Sequence, residues 1–423
     1  MTMAKFWKVI PMAALMLVSM ASCNSDDEMS DYYDDGYALL TQTAPPIPLT
    51  EAQQHMRDKG NEFAWRLFGA LQQTIGDQGN TVMSPLSVTY LLGMMDAGAA
   101  GSTRDEITAA LGLGDDVMAV NKYCKTMIDG AASVDPTAKV RIANCIDVNS
   151  ALGFSLLPQF VNDMSHYYNA QIEALDFTKG SALDKINNWC KDNTDGMIPR
   201  ILDELDPSMA MCMLNAIYFK ADWTTKFNKK NTCEMDFTLA DGTTAKREIM
   251  HMKARALCGL NDTCSVLRLP FGNGAYSMYV LLPAQGVTLD ELVKGMTAQN
   301  LDERLNNVFT ADVDILLPKY EVASDIYLTD MLKSLGITSA FDNIRADFSN
   351  MTSSSVWVST MLQKAKIEIN EDGGKAAAIT LSFCFTSYVS VPNLDFHATR
   401  PFLYVIREES TRSIFFMGSY QGR

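Results

Sequence analysis

Long hydrophobic runs, patterned cysteines, histidine and positive charge are all scarce in this 423-residue chain, and each scarcity removes a class of protein. The longest apolar run near the N-terminus, Val9 to Met20, falls short of the roughly 18 residues that a membrane-spanning helix needs. The next candidate, Met209 to Phe219, contains Asn215 and runs into Lys220 and Asp222, as a buried strand would. Nine cysteines occur at irregular spacings with no Cys-x-x-Cys, so neither a zinc ribbon nor a redox motif is indicated. The four histidines, His55, His166, His251 and His397, form no His-Glu-x-x-His or other metal-ligand spacing, and the sequence calls for no metal. There is no Gly-x-Ser-x-Gly elbow of an α/β-hydrolase. Gly272-Asn273-Gly274 lacks the third glycine of a nucleotide loop, and Gly373-Gly374-Lys375 lacks the remainder of a phosphate loop, so no cofactor is implied. Lys and Arg total 35 against 50 Asp and Glu, a formal charge of −15 that repels phosphate backbones and argues against nucleic-acid binding. With 14 Pro and 25 Gly, collagen-like and low-complexity classes are excluded as well.

What is present begins with an address. Lys5 and Lys8, the apolar run and the small residues Ala21-Ser22 before Cys23 read as a signal peptide over residues 1–22. Met20-Ala21-Ser22-Cys23 resembles a bacterial lipobox, which makes Cys23 the expected lipidation site and the membrane a partner through that anchor. Asn24-Ser25-Asp26-Asp27-Glu28, then Asp31, Asp34, Asp35, Pro45, Pro46 and Pro48, give a polar tether over residues 23–54, expected not to pack. The acidic patch beside the cysteine resembles an export tag for the outer face of the outer membrane. The eight remaining cysteines read mostly as small buried hydrophobes. Only Cys258 and Cys264, flanking a turn-like segment, are spaced for a hairpin disulfide, and spacing alone leaves them bonded or free.

From residue 55 to 423 the chain reads as one domain. Phe63, Leu67, Phe68, Leu71 and Ile75 form a helical stripe, Ser84-Pro85 opens a second helix, and Thr103 with Glu106 matches a capping box for a third. Val140 to Val148 is strand-like, Phe160 to Tyr168 helical, Gln171 to Phe177 strand-like, and a helix opens at Ile186. Strands then dominate: Met211 to Phe219, Ser265 to Pro270, Ser277 to Leu282, Asp312 to Pro318, Met361 to Ile369 and Ile414 to Ser419. Helices early and strands late indicate an α+β class with mostly antiparallel sheets. Residues 375–391 are small, β-branched and alternating, a pattern that composition alone assigns to a buried hairpin strand.

An ordered series of motifs over these residues resembles the serpin family. It comprises Asn80 with Ser84-Pro85-Leu86-Ser87; Gly98 and Gly101-x-Thr103; Ile186-Asn187-x-Trp189; Thr194-x-Gly196-x-Ile198; Leu214 through Trp223, including Asn215; Leu317-Pro318-Lys319-Tyr320; Leu335-Gly336-Ile337; Ala346-Asp347-Phe348-Ser349; and Arg400-Pro401-Phe402-Leu403. The resemblance implies three β-sheets, eight or nine helices, a monomer, and an exposed reactive loop between Glu371 and Pro392. It implies an irreversible suicide-substrate inhibitor that traps an acyl-enzyme when the cleaved loop enters the central sheet. It also implies a hinge at Glu371, Gly373, Gly374, Lys375, Ala376, Ala377 and Ala378, and a sheet-opening region at Asn80, Ser84, Ser87, Asn215, Trp223, Lys319 and Gln363, with an ion pair between Lys319 and Glu371. The sequence permits insertion: the alanines are small and uncharged, the glycines free the backbone, and Lys375 alternates to the outer face. Gly374, Ile379 and Gln363 depart from the usual family residues without adding charge. Counting along the loop places the scissile bond at Ser387-Tyr388, and an extended stretch from Glu371 to Ser387 spans about 56 Å. Ser387 before the bond implies elastase- or subtilisin-like serine proteases as partners, and Tyr388 before it chymotrypsin-like ones. Papain-like cysteine proteases and a non-inhibitory binding protein on the same scaffold remain open. Trypsin-like enzymes are disfavoured because no basic residue lies between Lys375 and Arg400.

Overall fold

The computed structural model of the chain describes residues 44–76, 79–359, 361–373 and 391–423. Cys23 and the signal segment, the reactive-bond residues Ser387 and Tyr388, and the hinge residues Gly374, Lys375, Ala376, Ala377 and Ala378 lie outside the described residues.

In chain order the elements are α1 (Glu51–Ile75), β1 (Thr81–Met83), α2 (Pro85–Gly98), α3 (Gly101–Leu111), α4 (Val117–Ala131), β2 (Lys139–Asn149), α5 (Pro158–Tyr168), β3 (Gln171–Leu175), α6 (Gly180–Asn193) and β4 (Met211–Lys220). There follow β5 (Cys233–Thr238), β6 (Thr244–Leu260), β7 (Cys264–Phe271), β8 (Tyr276–Pro283), α7 (Leu289–Lys294), α8 (Ala298–Asn306), β9 (Phe309–Pro318) and β10 (Tyr320–Tyr327). The chain closes with α9 (Leu328–Ser334), β11 (Leu362–Ile369), β12 (Asn393–His397), β13 (Phe402–Glu408) and β14 (Ile414–Tyr420). Nine α-helices and three sheets among the described residues agree with the expected α+β architecture.

The largest sheet runs β1-β14-β13-β8-β7-β6-β9-β12, with β5 paired to β6. The 17-residue β6 joins its two halves: its first part pairs with β5, its last four residues with β7, and most of its length with β9. The other two sheets are small, β3-β2-β4 and β10-β11. β4 is buried on both faces. Ile217 and Phe219 join the main core, while Cys212, Leu214 and Ala216 join a second cluster with Ile186, Trp189 and Cys190 of α6. The alternation of β4 therefore welds α6 to one side of the sheet and the main core to the other.

Two expectations are corrected and one open alternative is decided. Packed structure begins before residue 55: Ile47 is 4% exposed and donates its amide to Ser410 Oγ at 3.0 Å, and α1 starts at Glu51, capped by Thr50. Residues 44–54 thus belong to the folded body, because Ile47 in the proline-rich end of that segment packs into the main core. Thr103 and Glu106 form no capping box; α3 starts at Gly101. Thr103 Oγ1 instead accepts from the Asp347 amide at 2.9 Å, and the Glu106 carboxylate accepts from the Thr338 and Ser339 amides at 2.7 and 2.6 Å. Both side chains serve a distant segment whose buried amides need acceptors. Cys258 and Cys264 are free and buried. Cys258 pairs with Leu267 and Cys264 with Pro283, so the hairpin register keeps the two cysteines off opposed positions.

The α6 interface carries a buried carboxylate, Asp147, whose Oδ2 accepts from Cys145 Sγ at 3.3 Å. Burial pushes its pKa up to about 6 from the ordinary 3.8, with nearby Glu173 adding to the rise. The folded state therefore holds this proton more tightly than the unfolded chain does, and stability falls as pH rises from about 4 to 6. Asp147→Asn is expected to raise unfolding stability at pH 7 by about 2 to 3 kcal/mol, with the gain vanishing near pH 4. Chemical denaturation at the two pH values checks both the sign and the window.

Candidate functional site

β4 and β11 lie side by side at the centre of the molecule, yet among the described residues each is hydrogen-bonded on one edge only. β4 pairs with β2, and β11 pairs with β10; among the described residues no ladder joins β4 to β11. The two strands converge at one end, where the turn after β11 docks on the segment after β4. Trp223 N donates to Asp372 O at 2.9 Å, Phe227 N to Glu371 O at 2.9 Å, and Trp223 Nε1 to Asn370 O at 2.8 Å. The indole stacks on Phe271, with centroids 4.3 Å apart and planes at 13°. Gly373 lies against this segment with φ 90°; a Cβ there would meet the Trp223 nitrogen and stand 2.7 Å from the Ala221 carbonyl oxygen. Only glycine fits, which is a sharper reason for Gly373 than general hinge freedom.

Charge completes this clasp. Lys319 Nζ stands 3.3 Å from Glu371 Oε2, as expected, and Lys229 Nζ stands 2.6 Å from Asp372 Oδ2. Thr232 Oγ1 donates to Glu371 Oε1 at 2.9 Å. Burial pushes the Glu371 carboxyl up, but hydrogen bonds from its own backbone N–H, Thr232 and Lys319 outweigh this and hold it below its ordinary value. Between the strands, Phe219 to Ala221, Lys319 and Ile367 to Gly373 line a cavity of about 570 Å³. The loop leaves β11 directly beside it.

A second cluster lies further down the same seam. Gln363, on the inward face of β11, accepts from the Ser84 amide at 3.0 Å and donates to the Ser84 carbonyl at 2.8 Å, so its one amide group pairs with both backbone polar groups of the buried Ser84. Ser84 Oγ caps α2 by accepting from Ser87 N. Ser87 Oγ donates to Asn215 Oδ1 on β4, and Asn215 Nδ2 donates to Asn144 Oδ1 on β2 at 2.8 Å. Asn144 continues to the Tyr168 carbonyl, and the Tyr168 hydroxyl to Asn121. The start of α2 is thus held to β11 and β4 by separate hydrogen bonds.

The expected sheet-opening residues therefore divide. Ser84, Ser87, Asn215 and Gln363 share the lower network, and Trp223 and Lys319 belong to the clasp. Asn80 joins neither: it accepts from the Gln421 amide at 2.7 Å and donates to the Arg423 carbonyl, fastening the C-terminus. Asn144, Tyr168, Asn121, Thr232 and Asp372 were not singled out by the sequence. An asparagine in the buried stretch of a strand, such as Asn144, was the one available sign.

Among the described residues the central sheet is left in two parts, and Gly373, the last described residue of the turn after β11, sits at their junction. The serpin (serine protease inhibitor) family profile matches residues 58–421. Human Serpin I2 is 30% identical over 382 residues, covering 87% of this chain and 92% of the relative. Leukocyte elastase inhibitor A of Rattus norvegicus is 30% identical, covering 84% and 96%. The thermophilic serpin tengpin in its native state superposes with a TM-score of 0.79 at 29% identity, covering 91% and 98%. Thyroxine-binding globulin complexed with thyroxine superposes with a TM-score of 0.78 at 25% identity, covering 87% and 99%. The chain belongs to the serpin family.

Proposed function

We propose that this serpin is an irreversible suicide-substrate inhibitor of proteases. The observation that carries the proposal is that, among the described residues, no ladder joins β4 to β11, two adjacent strands whose facing edges meet beside the turn at Glu371–Gly373. A protease attacks the Ser387-Tyr388 bond, its nucleophile forms an ester or thioester with the Ser387 carbonyl, and the new amine end leaves with β12. The severed loop then zips between β4 and β11, carrying the enzyme away before water completes hydrolysis. Ser387 favours elastase- and subtilisin-like serine proteases, chymotrypsin-like enzymes are targets if cleavage follows Tyr388, and papain-like cysteine proteases are a further class. The signal segment, the lipobox at Cys23 and the acidic patch beside it support a lipoprotein on the outer face of the outer membrane, which would act on proteases arriving at the cell surface.

Incubation with one enzyme of each class tests this. At least one is expected to yield a covalent complex that survives denaturing electrophoresis, with the acyl bond at or within two residues of Ser387 by mass spectrometry. Clean cleavage and release by every enzyme would overturn the reading in favour of a binding protein.

A further inference from the structure

The same sheet that carries β12 assembles a set of metal-binding side chains that no sequence spacing announces. β9 lies between β6 and β12, with Asp314 opposite Lys253 on one side and directly opposite Asp395 on the other. Alternation places His251, Lys253, Asp314, Asp395 and His397 on one face. One ligand atom from each of Asp314, Asp395 and His397 can be chosen so that all lie within 4.8 Å of one another. His251 Nε2 is 2.8 Å from Asp314 Oδ1, which fixes that carboxylate. Two of the chain's four histidines thus meet at one spot. Two carboxylates on facing positions repel each other, a destabilising arrangement unless a cation lies between them. Lys253 Nζ, 3.5 Å from Asp314 Oδ2, offsets this in part from the solvent side.

We propose that Asp314, Asp395 and His397 bind one divalent transition-metal ion of the zinc type, with a fourth position open to water and His251 as the positioning residue for Asp314. Mixed imidazole and carboxylate donors suit zinc, three protein ligands leave a tetrahedral site open, and the partner that orients a ligand is itself part of the site. Two carboxylates neutralise the ion. The consequence is mechanical. Among the described residues β12 is an edge strand whose one ladder is its parallel pairing with β9. An ion shared between Asp314 and Asp395 and His397 staples that edge to an interior strand, at the end of the loop opposite the clasp. This inference stands apart from the inhibitory reading and holds whether or not proteases are trapped.

The test uses the full chain carrying Cys233→Ser, which removes the exposed cysteine among the described residues, titrated with Zn²⁺ by calorimetry and followed by hydrogen exchange. One ion per chain is expected, with affinity at least about tenfold weaker in His397→Ala and in Asp395→Asn. His251→Gln is expected to weaken binding less, and Lys253→Met to tighten it by freeing the Asp314 oxygen. Saturating Zn²⁺ should slow exchange of the Asn393–His397 amides in the parent and leave it unchanged in His397→Ala. Absence of saturable binding, equal affinity in His397→Ala, or exchange at Asn393–His397 indifferent to Zn²⁺ would each overturn the assignment.

Discussion

Ala378→Arg is expected to convert the protein from inhibitor to substrate, whereas Ala377→Arg, one residue away, leaves most of the inhibition intact. The difference follows from strand parity. Gln363, Ala365, Ile367 and Ile369 of β11 point into the main core, and Lys364, Lys366 and Glu368 point outward. Lys364 and Lys366 make cross-strand ion pairs with Asp325 and Glu321 of β10 on that outer face. A strand inserted beside β11 must alternate in the same way, and the alternation that keeps Lys375 outward turns Gly374, Ala376 and Ala378 inward and Ala377 outward. An inward arginine must bury its charge without a partner, which costs several kcal/mol. Each 1.4 kcal/mol slows insertion about tenfold against a deacylation rate that is unchanged, so the partition shifts to hydrolysis. The yield of covalent complex with Ala378→Arg should fall by about two orders of magnitude or more, while cleavage at the loop continues at the parent rate. Gel quantification of complex and cut chain reads both branches. Equal yields from the two variants would contradict the inward-outward assignment.

Much of this was legible in the sequence because the relevant signals were local. The stripe from Phe63 to Ile75, Ser84-Pro85 at the start of α2 and the apolar alternation of Asp312 to Pro318 each coincide with an element of the expected type. The segments that were not singled out had masked patterns. β6 carries Lys246, Arg247, Glu248, Lys253 and Arg255, so its alternation is diluted by charges that cross-strand partners such as Asp312 accommodate. β10 follows β9 after the single residue Lys319, too short a break to read as a boundary. α6 begins at Gly180, six residues before the apolar Ile186-Trp189 pattern that marks it. At the site, Lys319, Glu371, Ser84, Asn215 and Gln363 were found through family resemblance, which carries positional information that composition lacks. Their partners were not, because the bonds from Asn215 to Asn144 and from Thr232 to Glu371 join residues 71 and 139 positions apart. The proposed metal-binding set was invisible for the same reason: β9 and β12 bring its ligands together, and β6 adds His251, only in register.

Among the described residues the central strands stop short of full pairing. The two-stranded and three-stranded sheets face each other with inner edges unladdered among the described residues, and the turn at Glu371–Gly373 is clasped at one end of the seam. A severed loop running down that seam would be antiparallel to both neighbours and would join the two sheets into one of six strands. Two new ladders contribute on the order of ten or more hydrogen bonds, each worth about 1 kcal/mol net, with further gain from burying small apolar side chains. For a domain of this size that corresponds to a rise in melting temperature on the order of 20 °C. The most direct test is therefore a thermal melt of the intact chain beside the same chain cut once between residues 380 and 391. The account predicts that the cut protein melts far above the intact one; a cut protein that melts at or below the intact one would contradict it.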